Sequence, residues 1–509
     1  MPNGAGVLRH EAFGEVSVEV KYIRKGDIMR KISLALSVLL LAASVSCSSV
    51  EKVKQENDVN QSSEHIEQEK KEDVVITIAL AVEPEPGEFD KFNSADNGYR
   101  IEYVASHSLL DDNGDPLMYT TEEFNKQDFD MLQRIINKDD IDIVGAFSFS
   151  NPAYYEILKN KGAFVDLYEF MKDDPDVNPE LMNKHVLGLC ENDGHLYGLP
   201  SAYKVHTMIG KKEYVGDKQN WTVDEFIEHW NAMPDNATIS GSRNAENIYY
   251  DILRSNLTSY VDYTKAEVHF DSPDFCKLLE FCGSFESNYG EKSELDYNAP
   301  NFISTYDVTG FSSSLFAYAN SGTNETLVSH IKDGEYTLVG YPDSQGQGAY
   351  ISTSGEYSIC AHSSEEKQRA AWEYLRQFYT EEYQQEHVVQ KYEQYIDGEK
   401  VVSYSSEGGF LINNNARKTT AERICNGEYS NPTYEIKGEI FETPLPTLED
   451  CEFIENYVDT INRIDTELDR SLWEIIEEEV LAYLGGGQDI DTTIDLIQNR
   501  ASILVSEKS

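Results

Sequence analysis

VVITIALAV, from Val74 to Val82, is a run of β-branched and aliphatic residues with no charge inside it. A strand with one wet face would alternate polar and apolar side chains, so a strand apolar throughout is expected to be covered on both faces, as in a parallel α/β sheet. The residues upstream, Ser48 to Asp73, are mostly Glu, Lys, Gln, Asn and Ser. Such a composition cannot offset its ordering entropy by burial and reads as a disordered tether. The folded part is therefore expected to begin at Val74.

Downstream come YRIEYVA at Tyr99 to Ala105, then Phe129, Leu132, Ile135 and Ile136 at helical spacing, then IDIVGAF at Ile141 to Phe147. Strand, strand, helix, strand predicts an α/β lobe. Asn151 and Pro152 supply a cap and a first-turn proline for a helix running to about Lys161 and closed by Gly162. The loop from Phe147 to Asn151 then lies at the carboxyl end of a strand. Open α/β sheets bind ligands there, which makes Phe147, Ser148 and Asn151 candidate ligand contacts.

A second, helix-rich unit begins near Thr222, where WTVDEF carries the capping box Thr222 and Glu225. Asn244 can cap a helix holding Tyr249 and Tyr250, Ser272 and Pro273 start another, and Ser363 with Glu366 forms a capping box ahead of Ala371, Trp372 and Leu375.

The head of the chain has its own chemistry. From Met29, MRKISLALSVLLLAASVSC carries a basic pair, an apolar run and small residues before Cys47, which is an export signal. The run falls short of the roughly 20 apolar residues that span a bilayer. Ser44 to Cys47 resembles a bacterial lipobox, with Ser44 where Leu is usual, and this implies that Cys47 is lipidated as the mature N-terminus. At least two acyl chains would then give stable anchoring. Because the signal begins only at Met29, residues 1–28 are expected to reflect a start site assigned too early.

Of 509 residues, 91 are acidic and 42 basic, a net charge of -49 that repels phosphate backbones and excludes nucleic acid as a partner. Six cysteines follow Cys47, at 190, 276, 282, 360, 425 and 451. Without CxxC spacing they suggest no zinc site, and outside the cytoplasm they permit disulfides without requiring them. No cofactor is indicated. DDNGDPLMYTTE at Asp111 to Glu122 has acidic positions like a calcium loop, but Pro116 stands where the sharp-turn glycine belongs.

DGHLYGLP at Asp193 to Pro200, WTVDEF at Trp221 to Phe226, FDSPDF at Phe270 to Phe275, LVGYPDSQGQGAYI at Leu338 to Ile351, AAWEYLRQF at Ala370 to Phe378 and IDLIQNRASI at Ile494 to Ile503 resemble, in kind and order, the family 1 extracellular solute-binding proteins of bacterial ABC importers. The resemblance runs from about Val74 to the end. It implies a two-lobed α/β fold of the periplasmic-binding-protein type (type II), with a ligand cleft between lobes joined by hinge crossings. The lobes expected from it are 74–195 and 301–344 for the first and 207–300 and 355–509 for the second, with crossings at 196–206 and 345–354. Signal peptide and tether occupy 29–46 and 47–73. Gly346 and Gly348 suit hinge backbone, since glycine absorbs φ/ψ change at low steric cost.

It also implies a solute, most often a mono- or oligosaccharide, and a partner pair of ABC permease subunits at the extracytoplasmic face of the cell membrane. The chain is expected to act as a monomer. A pyranose needs flat apolar rings for its C–H face and fixed polar groups for its hydroxyls, and the 32 tyrosines suit both needs. The segments that the family places at the cleft add Tyr203, His206, Asn244, Asn247, Tyr249, Phe311 and Tyr350 to the candidate contacts.

Two rival readings differ in class. A binding lipoprotein serving a sensor kinase or adhesion would share fold and cleft. A secreted carbohydrate-active enzyme would need a catalytic pair, but 91 acidic residues make pairs uninformative, and G-x-S-x-G, HExxH and a Walker loop are all missing from the sequence. The expected protein is not an enzyme.

Overall fold

The computed structural model describes residues 73–508, apart from 85, 109–118, 264, 288–295, 297–298, 312–326, 388–389, 397–398, 406–408, 429–432, 437–438, 443 and 466–467. The export signal, Cys47, the tether and most of the calcium-loop-like segment lie outside the described residues. The strands that build the two main sheets are β1 (Val74–Val82), β2 (Tyr99–His107), β3 (Ile143–Gly145), β4 (Ala202–Lys211), β5 (Ser304–Val308), β6 (Tyr336–Leu338), β7 (Tyr350–Ser354), β8 (Tyr357–Ile359) and β9 (Phe410–Leu411). The helices used below are α1 (Thr121–Ile136), α2 (Ala153–Asn160), α3 (Lys184–Cys190), α4 (Val223–Asn231), α5 (Pro273–Gly283), α6 (Leu327–Lys332), α7 (Glu365–Leu375), α8 (Asn414–Cys425), α9 (Leu448–Val458), α10 (Arg470–Leu484) and α11 (Ile490–Lys508). No described helix is long and apolar enough to cross a membrane.

The first sheet has the order β8-β3-β1-β2, with β1 parallel to both neighbours and β8 antiparallel to β3. The unbroken apolar character of β1 follows from its cover. Ile76, Ile78 and Leu80 point into one core with Leu167, Ala370, Ala371 and Leu375, while Ala79 faces the other with Met131, Leu132, Ile157 and Leu158. Helices thus lie on both faces, as the run at Val74 predicts.

The second sheet is built around β4, which pairs antiparallel with β5, β6, β7 and β9. One face packs Met208, Phe302, Ile303, Val339 and Tyr341 against α4, α5, α10 and α11. The other carries Val205, Ile209, Val308 and Leu338 against α6 and α9, and its apolar cluster is continuous with the core of the first sheet. Thr222 and Glu225 close their capping box, with Glu225 N donating to Thr222 Oγ1 at 3.3 Å and Thr222 N to Glu225 Oε2 at 3.0 Å. Ser272 caps α5 ahead of Pro273. For α7 the cap is Ser364 and not Ser363, whose hydroxyl instead donates to Asp142 Oδ1 at 2.6 Å.

Strand pairing corrects the expected division into lobes. Residues 304–308 and 336–338, expected in the first lobe, hydrogen-bond to β4 and bury their neighbours Phe302, Ile303 and Val339 in the second. Residues 357–375, expected in the second lobe, belong to the first, because β8 pairs with β3 and α7 covers β1. The pairing of β4 with β7, from Ala202↔Ser354 to His206↔Tyr350, lays two antiparallel segments side by side between the sheets. A third runs beside them: Ile351 N donates to Arg463 O at 2.9 Å and Asp465 N to Ile351 O at 2.8 Å. Gly346 and Gly348 do have left-handed backbone, at φ +62° and +68°, but they sit in a turn clamped by Asp343, whose carboxylate accepts from the amides of Gln345, Gln347 and Gly348. That makes the turn rigid and leaves the crossing itself to the strands.

Candidate functional site

Helix α1 and the loop that follows β3 reach the second lobe. After β3 the chain turns sharply, and Phe147 folds back over Gly145 so closely that any Cβ there would collide with its ring. Phe147 is half-buried against Tyr357, with ring centroids 4.8 Å apart. The loop is then fixed by Asp128 of α1, a fully buried carboxylate that accepts from Ser150 N at 3.0 Å and Asn151 N at 2.8 Å.

Asn151 reaches across to the other lobe. Its Nδ2 donates to Asp469 Oδ2 at 2.9 Å, and the two residues are only 2% and 1% exposed. Asp469 is also the N-cap of α10, where its Oδ1 accepts from Ser471 N at 2.8 Å and Leu472 N at 3.2 Å. Asn125 of α1 donates to Ser471 Oγ at 3.0 Å, and the Arg470 guanidinium lies 5.8 Å from the Phe124 ring centre. The lobes therefore touch along one edge of the cleft, through polar groups on α1, the β3–α2 loop and the first turn of α10.

Close to that edge, at the end of β2, His107 is buried beside Tyr119 and Phe124, with ring centroids at 5.2 and 4.7 Å. Burial lowers its pKa and keeps it neutral. Its Nδ1 lies 2.7 Å from Ala81 O, an acceptor only, so Nδ1 carries the proton and Nε2 is left as a buried acceptor with no partner among the described residues. On α10, Trp473 lies under the Arg254 guanidinium at 4.7 Å, and its indole Nε1 is a buried donor likewise without a partner among the described residues.

The crossing segments carry a second cluster. His206 of β4 sits in register between Asp307 of β5 and Tyr350 of β7. Its Nδ1 is 2.8 Å from Asp307 Oδ1 and its Nε2 is 2.7 Å from Ser352 Oγ, while its ring stacks on Tyr350 at 4.7 Å. Arg463 of the third crossing segment lies 5.0 Å from the Tyr350 ring centre and donates to Asn256 Oδ1 at 2.6 Å, besides pairing with Asp465. Burial first, then nearby Asp465, raises the Tyr350 phenol, which stays protonated and donates to Ser255 O at 3.0 Å.

A model of a family described as bacterial extracellular solute-binding proteins matches residues 139–399, just over half of the 509. The chain belongs to that family. The matched span takes in β3, all the strands of the second sheet except β9, and the β4–β7 crossing pair, so it covers the parts that join the lobes. No curated protein matches this solute-binding protein. Among solved structures it is similar to an extracellular solute-binding protein family 1 from Alicyclobacillus acidocaldarius subsp. acidocaldarius DSM 446, at 12% identity over 86% of this chain and 99% of that one, TM-score 0.44. It is also similar to the sugar-binding protein MalE of Xanthomonas citri, at 12% identity over 85% and 98%, TM-score 0.42. A third is an ABC transporter solute-binding protein from Agrobacterium radiobacter K84 in complex with ribitol, at 14% identity over 85% and 99%, TM-score 0.44.

The residues expected to touch solute divide by position in this solute-binding protein. His206, Tyr350 and Phe147 are half-buried near the crossing strands, and Asn151 lies on the interlobe edge. The other six have core or scaffold contacts. Tyr203 is fully buried, stacked on Phe410 with its hydroxyl accepting from Asn183 Nδ2. Ser148 donates to Ala79 O at 2.6 Å and accepts from Gly145 N at 2.8 Å, which ties the loop to β1. Phe311 packs edge-on against Phe410, and Tyr249 lies wholly inside the second core. Asn244 caps its helix by accepting from Asn247 N, and Asn247 Nδ2 donates to Ser242 Oγ, so both serve the local turn. The sequence reading missed Asp128, His107, Arg463 and Asp469. Only Asp469, an acidic residue just ahead of the apolar run SLWEII, carried a readable cap signal.

Proposed function

We propose that this solute-binding protein captures a mono- or oligosaccharide between its lobes and delivers it to the permease subunits of an ABC importer, held at the extracytoplasmic face of the membrane by lipid on Cys47. The family match carries the solute-binding part of this reading. The hydroxylated ligand is supported by two buried polar atoms that have no partner among the described residues, the acceptor Nε2 of His107 and the donor Nε1 of Trp473. Each unmatched buried group costs about 1 to 3 kcal/mol, and a hydroxyl can serve either because it both donates and accepts. Tyr119 and Phe124 beside His107 offer apolar rings for a sugar's C–H face.

Capture then works by population shift. Solute bound to one lobe meets the other only when the lobes close, so tighter binding to the closed form draws the equilibrium toward it. No bond is made or broken. A thermal-shift screen of mono- and oligosaccharides, polyols, peptides and polyamines tests the reading. Saturation by a sugar at about 100 times its Kd stabilises by about 2.7 kcal/mol. A peptide or polyamine that shifts the midpoint while no sugar or polyol does so overturns the sugar.

A further inference from the structure

Cys425 ends α8 and Cys451 lies in the first turn of α9, and their sulfur atoms are 3.9 Å apart although 26 positions separate them in the chain. Both are free thiols, as are Cys190, Cys276, Cys282 and Cys360. No other cysteine pair makes an Sγ–Sγ contact among the described residues. The two helices pack on each other, Cys451 buried and Cys425 half-buried. A disulfide needs sulfur atoms at about 2.05 Å, which a change of side-chain rotamer with a small helix shift can supply from this starting distance. Extracellular solute-binding proteins work outside the cytoplasm, where disulfides form and persist.

We infer that Cys425 and Cys451 are a redox-active pair that closes to a disulfide when the protein meets a disulfide-bearing oxidant. The half-buried Cys425 thiolate attacks one sulfur of the oxidant and expels the other as a thiol. The Cys451 thiolate then attacks Cys425 Sγ in that mixed disulfide and releases the second thiol. Two protein thiols lose two electrons and two protons, and one oxidant disulfide becomes two thiols. Burial raises both thiols above their ordinary range, so closure accelerates as pH rises and the thiolate fraction grows. The bond pins α8 to α9 immediately before Ile461, whose carbonyl lies 2.7 Å from His185 Nε2 and which leads into the third crossing segment.

The purified full chain is incubated with oxidised glutathione at pH 8.5, remaining thiols are blocked with N-ethylmaleimide in denaturant, and the protein is digested with trypsin without reductant. Cleavage after Arg423, Lys437 and Arg463 puts Cys425 on residues 424–437 and Cys451 on residues 438–463. The expected product is these two peptides joined, lighter by two hydrogens than their sum, formed before any other cross-link and accompanied by a rise in thermal midpoint that reductant reverses. In Cys451→Ser, Cys425 should carry glutathione or maleimide and join no other cysteine. Maleimide on both peptides of the oxidised wild type overturns the inference, as does equal cross-linking of Cys425 to the other cysteines. The wild-type map decides even if the variant does not fold.

Discussion

Replacing Asn151 by Asp tests whether the interlobe contact sets the balance between closed and open forms. The aspartate keeps an oxygen for Ala153 N, which now donates to Asn151 Oδ1 at 3.2 Å, so the start of α2 is preserved. What changes is the far side, where the Nδ2 donor 2.9 Å from Asp469 Oδ2 becomes a second carboxylate oxygen. A lost hydrogen bond to a charged group costs about 1.5 to 3 kcal/mol. Two like charges at about 4 Å add up to about 4 kcal/mol at an effective dielectric near 20. Opening relieves both, because water then solvates each carboxylate, so the closed form should lose about 5 kcal/mol relative to the open one, more than a thousandfold in population. Asn151→Ala removes only the hydrogen bond across the cleft, together with the local cap, and should shift the balance by about 2 kcal/mol, roughly thirtyfold. Small-angle scattering of the unliganded protein reads the shift as a larger radius of gyration, and titration with the best sugar reads it as weaker apparent affinity. Acidification should return Asn151→Asp toward the compact form, because one proton shared by the pair restores a donor. Equal scattering and equal affinity of wild type and Asn151→Asp at neutral pH would refute the reasoning.

His107→Leu should weaken sugar affinity at least tenfold and also lower the thermal midpoint, because it removes the Nδ1 donor to Ala81 O along with Nε2; unchanged calorimetric affinity would remove His107 from the site. Burial raises the Asp251 carboxyl to about 6. A carboxyl raised on folding contributes stability below its unfolded pKa near 3.9 and loses it as pH rises through the folded value, so Asp251→Asn should stabilise by on the order of 2 kcal/mol above pH 6 and leave denaturant midpoints at pH 4 unchanged. For Asp174, burial pushes the carboxyl up, but the Arg376 fork at 2.6 and 2.8 Å and the Trp372 indole at 3.0 Å outweigh it and hold it below the usual range. That stability is present above the unfolded pKa and lost as pH falls through the folded one. Asp174→Asn should therefore cost on the order of 2 kcal/mol at neutral pH and flatten the acid limb of the urea-midpoint profile. Thr222→Ala removes the capping box of α4 and should cost about 1 kcal/mol in urea denaturation, with no change in solute affinity.

What the sequence made legible was local. The apolar run of β1, the capping box at Thr222 and the Ser272 and Asn244 caps depend on residues within a few positions of each other, and periodicity or capping chemistry records them directly. The assignment of 301–344 and 357–375 to lobes depended on which distant strand each would join. Tyr336–Leu338 and Tyr357–Ile359 are both three-residue strands, buried throughout, and nothing in their composition distinguishes β4 from β3 as a partner. The candidates that lie in the core went astray for a related reason. Tyr203 and His206 lie on the same strand, but residues at odd and even positions face opposite sides of it. Tyr203 thus enters the core with Val205 while His206 meets Tyr350. A segment can be placed at the cleft correctly and still send half its side chains away from it.

That alternation also bears on how the lobes can move. On one side of β4, Tyr203, Val205 and Ile209 belong to a single apolar cluster that continues from the first sheet into the second. On the far edge of the cleft the lobes meet through directed polar contacts, Asn151 to Asp469 and Asn125 to Ser471. Apolar packing is non-directional and tolerates small sliding, whereas a hydrogen bond weakens steeply once its geometry is lost. A rotation about the three crossing segments therefore costs little on the side of the continuous core and breaks the polar edge outright. In the proposed capture cycle the asymmetry would set the axis of lobe closure along β4, β7 and residues 463–465, with its free-energy step at the edge where α1 and the β3–α2 loop meet the first turn of α10. The sugar proposed to bind beside His107 and Phe124 would enter next to that step, and its hydroxyls would add to the polar contacts that hold the lobes shut.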